Sequence, residues 1–124
     1  MQAENAPGDS QNVSLRRWRV IEIVSPDGVR SRHIWGHDVT NNLGRATSAI
    51  LEFNLETMTA TTTRSGKVYW LIGLPGNSRL GRAAWRKWCD DNRIVNETDV
   101  TNEYLNVNQV STVGFEKITG SLKQ

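Results

Sequence analysis

Residues 61–78 read T-T-T-R-S-G-K-V-Y-W-L-I-G-L-P-G-N-S, and the longest apolar run of the chain, Val68 to Leu74, lies at the centre of this stretch. Val68, Trp70, Ile72 and Leu74 alternate with Tyr69 and Leu71, so both faces of an extended segment ask for burial, the pattern of a central strand covered on both sides. Ahead of it, Arg64-Ser65-Gly66-Lys67 predicts a two-residue hairpin turn. Behind it, Pro75-Gly76 predicts a type II turn with positive φ at the glycine. Ser78 stands where the N-cap of a helix belongs.

Outward on the C-terminal side, residues 78–92 predict one amphipathic helix. Leu80, Ala84 and Trp88 recur at i, i+4 and i+8, with Gly81, Trp85 and Asn92 flanking the stripe. Asn92 suits a left-handed C-terminal residue. Arg79, Arg82, Arg86 and Arg93 collect on the opposite side, where Asp90 is placed to pair with Arg86. Thr98 to Leu105 predicts one short helix docked through Tyr104 and Leu105, and residues 106–124 a loose polar tail.

Outward on the N-terminal side, Leu55 to Thr63 sets Thr57, Thr59, Thr61 and Thr63 on a solvated strand face. A strand over Arg45 to Asn54 points Ala49, Leu51 and Phe53 inward. The β-branched and aromatic run from Leu15 to Val24 stops at Ser25-Pro26-Asp27-Gly28, a type I turn with a bulge, and returns over Val29 to Val39 with Ser31, His33, Trp35 and His37 on one face. Residues 1–14 are almost devoid of apolar side chains and predict a disordered arm. The expected fold is therefore α+β: a single domain over residues 15–105, with a five-stranded antiparallel meander, its closure into a barrel left open, packed by one helix.

With 124 residues, one cysteine and no apolar stretch of 18 residues, the chain predicts one soluble cytoplasmic domain with no signal segment and no internal disulfide. The net charge of +2 conceals a basic centre. Residues 15–93 carry thirteen of the fifteen basic side chains against seven of the thirteen acidic ones, and eleven of the fifteen are arginine. Arginine suits bidentate contacts to phosphate and stacking on bases.

Catalytic and metal motifs are missing from this sequence, and the expectation is a non-enzyme without cofactor or metal. His33 and His37, four residues apart on a strand, stand about 13 Å from each other, too far to share an ion. Cys89 on the shoulder of the helix stripe reads as a small buried hydrophobe. Ser65 and Ser78 are accounted for by a turn and a cap, and no nucleophile elbow or phosphate loop occurs. The remaining signal is basic side chains interleaved with aromatics, Arg16, Arg17 and Arg19 around Trp18 among them. The candidate nucleic-acid contacts are Arg17, Arg19, Arg30, Arg32, Arg64, Lys67, Arg79, Arg82 and Arg86. A protein-interaction module, an inhibitor or adaptor of a host protein or a homodimer through a sheet edge, is the alternative.

The motifs G-R-A-T-S-A-I, T-R-S-G-K-V-Y-W-L-I-G-L-P-G, A-W-R-K-W-C and T-D-V-T between Arg32 and Asp99 resemble small uncharacterised proteins encoded on proteobacterial prophages and other mobile elements. The resemblance covers about half the chain and carries over no site residue. It implies a bacterial mobile-element context, in which proteins of this size often bind nucleic acid or a host protein and few are enzymes.

Overall fold

A computed structural model describes residues 12–64 and 66–105. In chain order these form β1 (Asn12–Val24), β2 (Arg30–Asp38), β3 (Leu43–Ala46), β4 (Ile50–Asn54), β5 (Thr59–Thr62), β6 (Val68–Ile72), α1 (Arg79–Asp91) and β7 (Asn96–Asp99), followed by a 3-10 turn at Thr101–Tyr104. The fold is α+β, as expected, but the sheet is mixed and seven-stranded. Its order is β3-β2-β1-β6-β5-β4, with β7 also on β1. Two antiparallel meanders, β1-β2-β3 and β4-β5-β6, meet through a parallel ladder in which Asn12 to Arg16 pair with Val68 to Ile72. Local turn signals specify each meander, whereas nothing local specifies the seam between them.

β1 is the element on which the rest converges. One edge pairs with β2 from Leu15 to Val24. The other edge is shared, by β6 along Asn12 to Arg16 and by β7 along Ile21 to Val24. In the gap, Gly76 N–H donates to the Trp18 carbonyl at 3.2 Å, Ser78 N–H to the Arg17 carbonyl at 3.2 Å, and Val20 N–H to the Thr101 hydroxyl at 2.9 Å. These contacts supply partners for backbone groups that the interrupted ladder leaves over. The strand begins at Asn12, inside the arm expected over residues 1–14. The rest of that arm and the expected tail lie outside the described residues.

The sheet curls. β3 ends at Ala46 and β4 starts at Ile50, although they are the two ends of the six-strand order. Four Cα steps reach at most about 15 Å, whereas six flat strands at 4.8 Å spacing would hold their edges about 24 Å apart. The linking segment bonds to both sides, Thr47 N–H to the Ile34 carbonyl and Thr63 N–H to the Ala49 carbonyl, each at 2.9 Å. No ladder joins β3 to β4, so the sheet is not closed.

Two apolar clusters flank it. On one face Leu15, Trp18, Val20 and Ile34 meet Ala60, Tyr69 and Leu71, with Phe53 and Tyr104 closing the edge in a T-shaped contact at 4.7 Å. On the other, Ile21, Ile23 and Trp35 pack beneath Trp85, Cys89 and Ile94, with Trp85 and Trp88 stacked at 5.1 Å.

Several sequence expectations hold. Gly28 takes φ +88 in the first hairpin, and the Ser78 hydroxyl accepts from Gly81 N–H at 2.9 Å as the N-cap of α1. Others are corrected. The segment expected as one strand over Arg45 to Asn54 is two, broken at residues 47–49, and a register shift between Ile50 and Glu52 turns Leu51 outward, 66% exposed. β6 is covered on one side only: Tyr69 and Leu71 are buried while Trp70 is 39% exposed. The turn between Thr62 and Val68 is longer than two residues. The positive φ near the Pro-Gly pair falls at Gly73, and the left-handed residue after α1 is Arg93, with Asn92 at φ −104. Residues 96–99, part of them expected as helix, form β7 because the free edge of β1 lies there to pair with them.

The buried face of α1 is Gly81, Trp85 and Cys89, with Leu80 49% exposed, so the helix is rotated by one residue from the expected stripe. The cause is close backbone approach. A Cβ on Gly81 would lie 2.7 Å from the Gly36 carbonyl, and one on Gly44 would fall on the Leu80 carbonyl. These glycines let the first turns of the helix lie flush on β2 and β3.

Candidate functional site

The nine basic residues picked out from the sequence do not form one face. Four are held by carboxylates: Arg19 by Asp99 at 2.9 Å, Arg30 by Glu22 at 3.5 Å, Arg32 by Glu22 at 3.3 Å and Glu103 at 2.8 Å, and Arg86 by Glu97 at 2.7 Å. Arg32 also donates to the Tyr104 hydroxyl and sits 5.7 Å above that ring. Arg86 pairs with Glu97 and not, as expected, with Asp90. These arginines stitch β1, β2, α1, β7 and the 3-10 turn together. Arg82 lines a small cavity of about 270 Å³ beside Glu97 and Asp99, again among acids. Arg64 lies on a separate groove, and Lys67 precedes β6.

Arg17 and Arg79 come together, and Arg16 joins them. All three line an open groove of about 410 Å³ at the N-terminal end of α1, with His37, Asn42 and Leu80. Local structure fixes the arrangement. Arg17 sits at the register shift in β1 with φ 52. Gly76 lies so close that a Cβ there would be 3.1 Å from Arg17, so the glycine eases the path of the segment leading into α1 against this residue. The Ser78 N–H bond to the Arg17 carbonyl then brings the helix start, and Arg79 with it, to the same place. His37 is bonded to Asn42 Oδ1 at 2.9 Å. Among the described residues no carboxylate lines this groove, and no ion pair involves Arg16, Arg17 or Arg79. The first turn of α1 carries no acidic side chain, so its partial positive charge adds to the guanidinium field.

Trp70 stands next to this cluster. In the parallel ladder Ser14 faces Trp70 and Arg16 faces Ile72, so Trp70 and Arg16 share the outward face as diagonal neighbours about 7–8 Å apart. The Trp70 indole N–H donates to Asn12 Oδ1 at 3.1 Å, which orients the ring. The sequence reading missed Trp70 because the alternating run around it signalled burial on both faces.

The other chemical groups occupy distinct settings. Asp38 is wholly buried; burial alone would raise its carboxyl, but bonds from Asn41 and Arg45 outweigh this and hold it below the usual carboxylate range. Glu97 follows the same balance, burial opposed by bonds from Trp85 and Arg86. Cys89 is fully buried and burial pushes its thiol up to about 11, so it is protonated and inert at neutral pH. His33 and His37 lie on separate grooves of β2. Among the described residues no three His, Cys, Asp or Glu side chains gather as a metal site, and no helix is long and apolar enough to cross a membrane.

Comparison with known proteins finds no matching family model, curated protein or solved structure.

Proposed function

We propose that the protein binds nucleic acid through the groove at the start of α1, with Arg16, Arg17 and Arg79 on backbone phosphates and Trp70 as a platform on which an unpaired base stacks. The observation that carries this reading is that three arginines line one groove that no carboxylate of the described residues lines. An arginine already clamped by a carboxylate gives up that partner before it can take a phosphate, and releases less net charge when it does. Arg19, Arg30, Arg32 and Arg86 are in that position. Among the described residues no carboxylate holds Arg16, Arg17 or Arg79. A half-exposed tryptophan beside such a cluster suits single strands, because every base offers a face to stack and the phosphates supply the charge.

The test is fluorescence anisotropy of a labelled single-stranded oligonucleotide at two salt concentrations. Three phosphate contacts give a log–log slope near −2 for single strands, so affinity falls roughly twentyfold between about 50 and 200 mM salt. Arg17→Glu with Arg79→Glu abolishes binding, and Trp70→Ala costs about 1–3 kcal/mol. Arg30→Glu, on the clamped side, leaves affinity within about twofold. Absence of binding at low salt, or equal losses on both sides, refutes the assignment. A salt-insensitive association of the protein with itself would support an interaction module in its place.

A further inference from the structure

The cleft between the first hairpin, the 63–64 turn and the end of α1 holds an arrangement that the nucleic-acid reading does not use. Ser31 and His33, two residues apart on β2, point to the same side, and Ser31 Oγ lies 2.7 Å from His33 Nε2. The other ring nitrogen, Nδ1, lies 2.9 Å from the Thr47 carbonyl oxygen. A carbonyl can only accept, so Nδ1 carries the proton. In the neutral ring Nε2 is then the acceptor, and Ser31 donates its hydroxyl proton to it.

The supports of this relay are rigid. Thr47 is buried; its N–H bonds to the Ile34 carbonyl at 2.9 Å, and its hydroxyl accepts from Ile34 N–H at 3.0 Å and donates to the Ser48 carbonyl at 2.7 Å. The His33 ring is 3% exposed and held against Trp88, centroids 4.6 Å apart. Burial lowers its proton affinity, which keeps it neutral and able to act as a base near pH 7. Ser31 itself is only half-buried and lines an open cleft of about 700 Å³. Ile23, Ile94 and Trp88 give that cleft an apolar wall, and Arg64 supplies a cation. Hydroxyl, imidazole and a fixed acceptor behind it are the three parts of an activated serine.

We propose that Ser31 is a nucleophile activated by His33, with Thr47 as the positioning residue, and that the cleft accepts small esters with an apolar acyl group. Ser31 Oγ forms a bond to the acyl carbon as its proton passes to His33 Nε2. The ester C–O bond breaks, and the leaving alkoxide takes that proton and departs as the alcohol. Water then adds to the acyl carbon while giving a proton to Nε2. The acyl–Oγ bond breaks, Oγ takes back the proton, and the carboxylic acid leaves. Arg64, which lines the same cleft, is the cation available to the oxyanion of each addition step.

The test uses the intact protein and two probes. A fluorophosphonate forms an Oγ–P bond as its P–F bond breaks and fluoride leaves, and peptide mass spectrometry locates the adduct; p-nitrophenyl butyrate reports turnover. A single adduct on Ser31 is expected, together with ester hydrolysis that Ser31→Ala reduces at least about a hundredfold. His33→Gln reduces both to a similar degree. Because His33 is packed against tryptophans, its variant is read only beside a native near-ultraviolet spectrum, whereas Ser31→Ala, half-exposed and nearly isosteric, serves alone if His33→Gln fails to fold. No adduct on Ser31 in the folded wild-type protein, or hydrolysis unchanged in Ser31→Ala, overturns the proposal. Oligonucleotide affinity is unaffected by Ser31→Ala, so the two sites stand or fall separately.

Discussion

On the face where Leu15, Trp18, Val20 and Ile34 meet Tyr69 and Leu71, apolar side chains pack on one another, and the Trp18 indole N–H reaches the Gly73 carbonyl at 3.2 Å. Beneath α1 the picture differs. Trp85 and Trp88 stack on each other and meet the His33 ring at a tilt, the Trp85 indole donates to Glu97, and the Trp35 indole N–H is buried with no partner among the described residues. The first cluster is held by volume and area, quantities that pH does not touch. The second holds polar groups that depend on specific partners, since an unmatched buried group costs about 1–3 kcal/mol. The comparison separates the part of the molecule that keeps it folded from the part where polar chemistry is kept dry and oriented.

The largest test of that contrast is Trp18→Ala. Trp18 is fully buried in the apolar cluster, and its truncation costs about 3–5 kcal/mol. Urea titrations at pH 5 and 7.5 should return the same loss, and a loss that changes with pH would break the distinction. Next comes Gly81→Ala. Alanine is the better helix former by about 1 kcal/mol, yet here its methyl meets the Gly36 backbone at 2.7 Å. Net destabilisation of about 1–3 kcal/mol and a weakened tryptophan near-ultraviolet signal are expected. A stabilised variant would show that α1 does not lie flush.

The smallest effect is a pH dependence confined to the second cluster. Burial lowers the proton affinity of His33 in the folded protein below the ordinary value of 6.5. On acidification the unfolded chain therefore binds this proton first, so stability is full above pH 6.5 and falls as pH drops through the folded-state value. Asp38, Glu97 and Asp99 are shifted down from ordinary values of 3.8 to 4.5, and their contribution is lost only below that range. A thermal midpoint that declines between pH 6.5 and 4.5 in wild-type protein assigns the window to buried histidine. A flat profile there contradicts the burial of His33.

What was legible in the sequence was local. Ser25-Pro26-Asp27-Gly28 carries its own turn chemistry, Ser78 its cap, Thr59 and Thr61 their half-exposed face, and Cys89 its burial. What was not legible depended on partners distant along the chain. Arg19 and Arg32 read as free cations because Asp99 and Glu103 lie 80 and 71 residues away. Trp70 read as buried because alternation shows that two faces are apolar, not that two layers exist to cover them. The phase of α1 slipped by one residue because a hydrophobic stripe ranks side chains by apolarity, whereas the contact is set by where two backbones can touch. Ser31 and His33 were placed on one face at once, but only the fold brings the Thr47 carbonyl behind the imidazole.

The shared edge of β1 has a consequence for the order in which the molecule can be made. The ribosome delivers β1 long before the partners on that edge, which come from residues 68–72 and 96–99. At translation rates of about 5–20 residues per second, the interval from Asn12 to Asp99 is roughly 4–17 s. Until β6 emerges only β2 is at hand to pair with it, and until β7 follows part of one edge of an apolar strand stays open to other chains. Pairings of such long sequence separation also slow folding from the denatured state. A strand made early is completed last, and the yield of folded protein depends on keeping its open edge apart from other copies until β7 arrives.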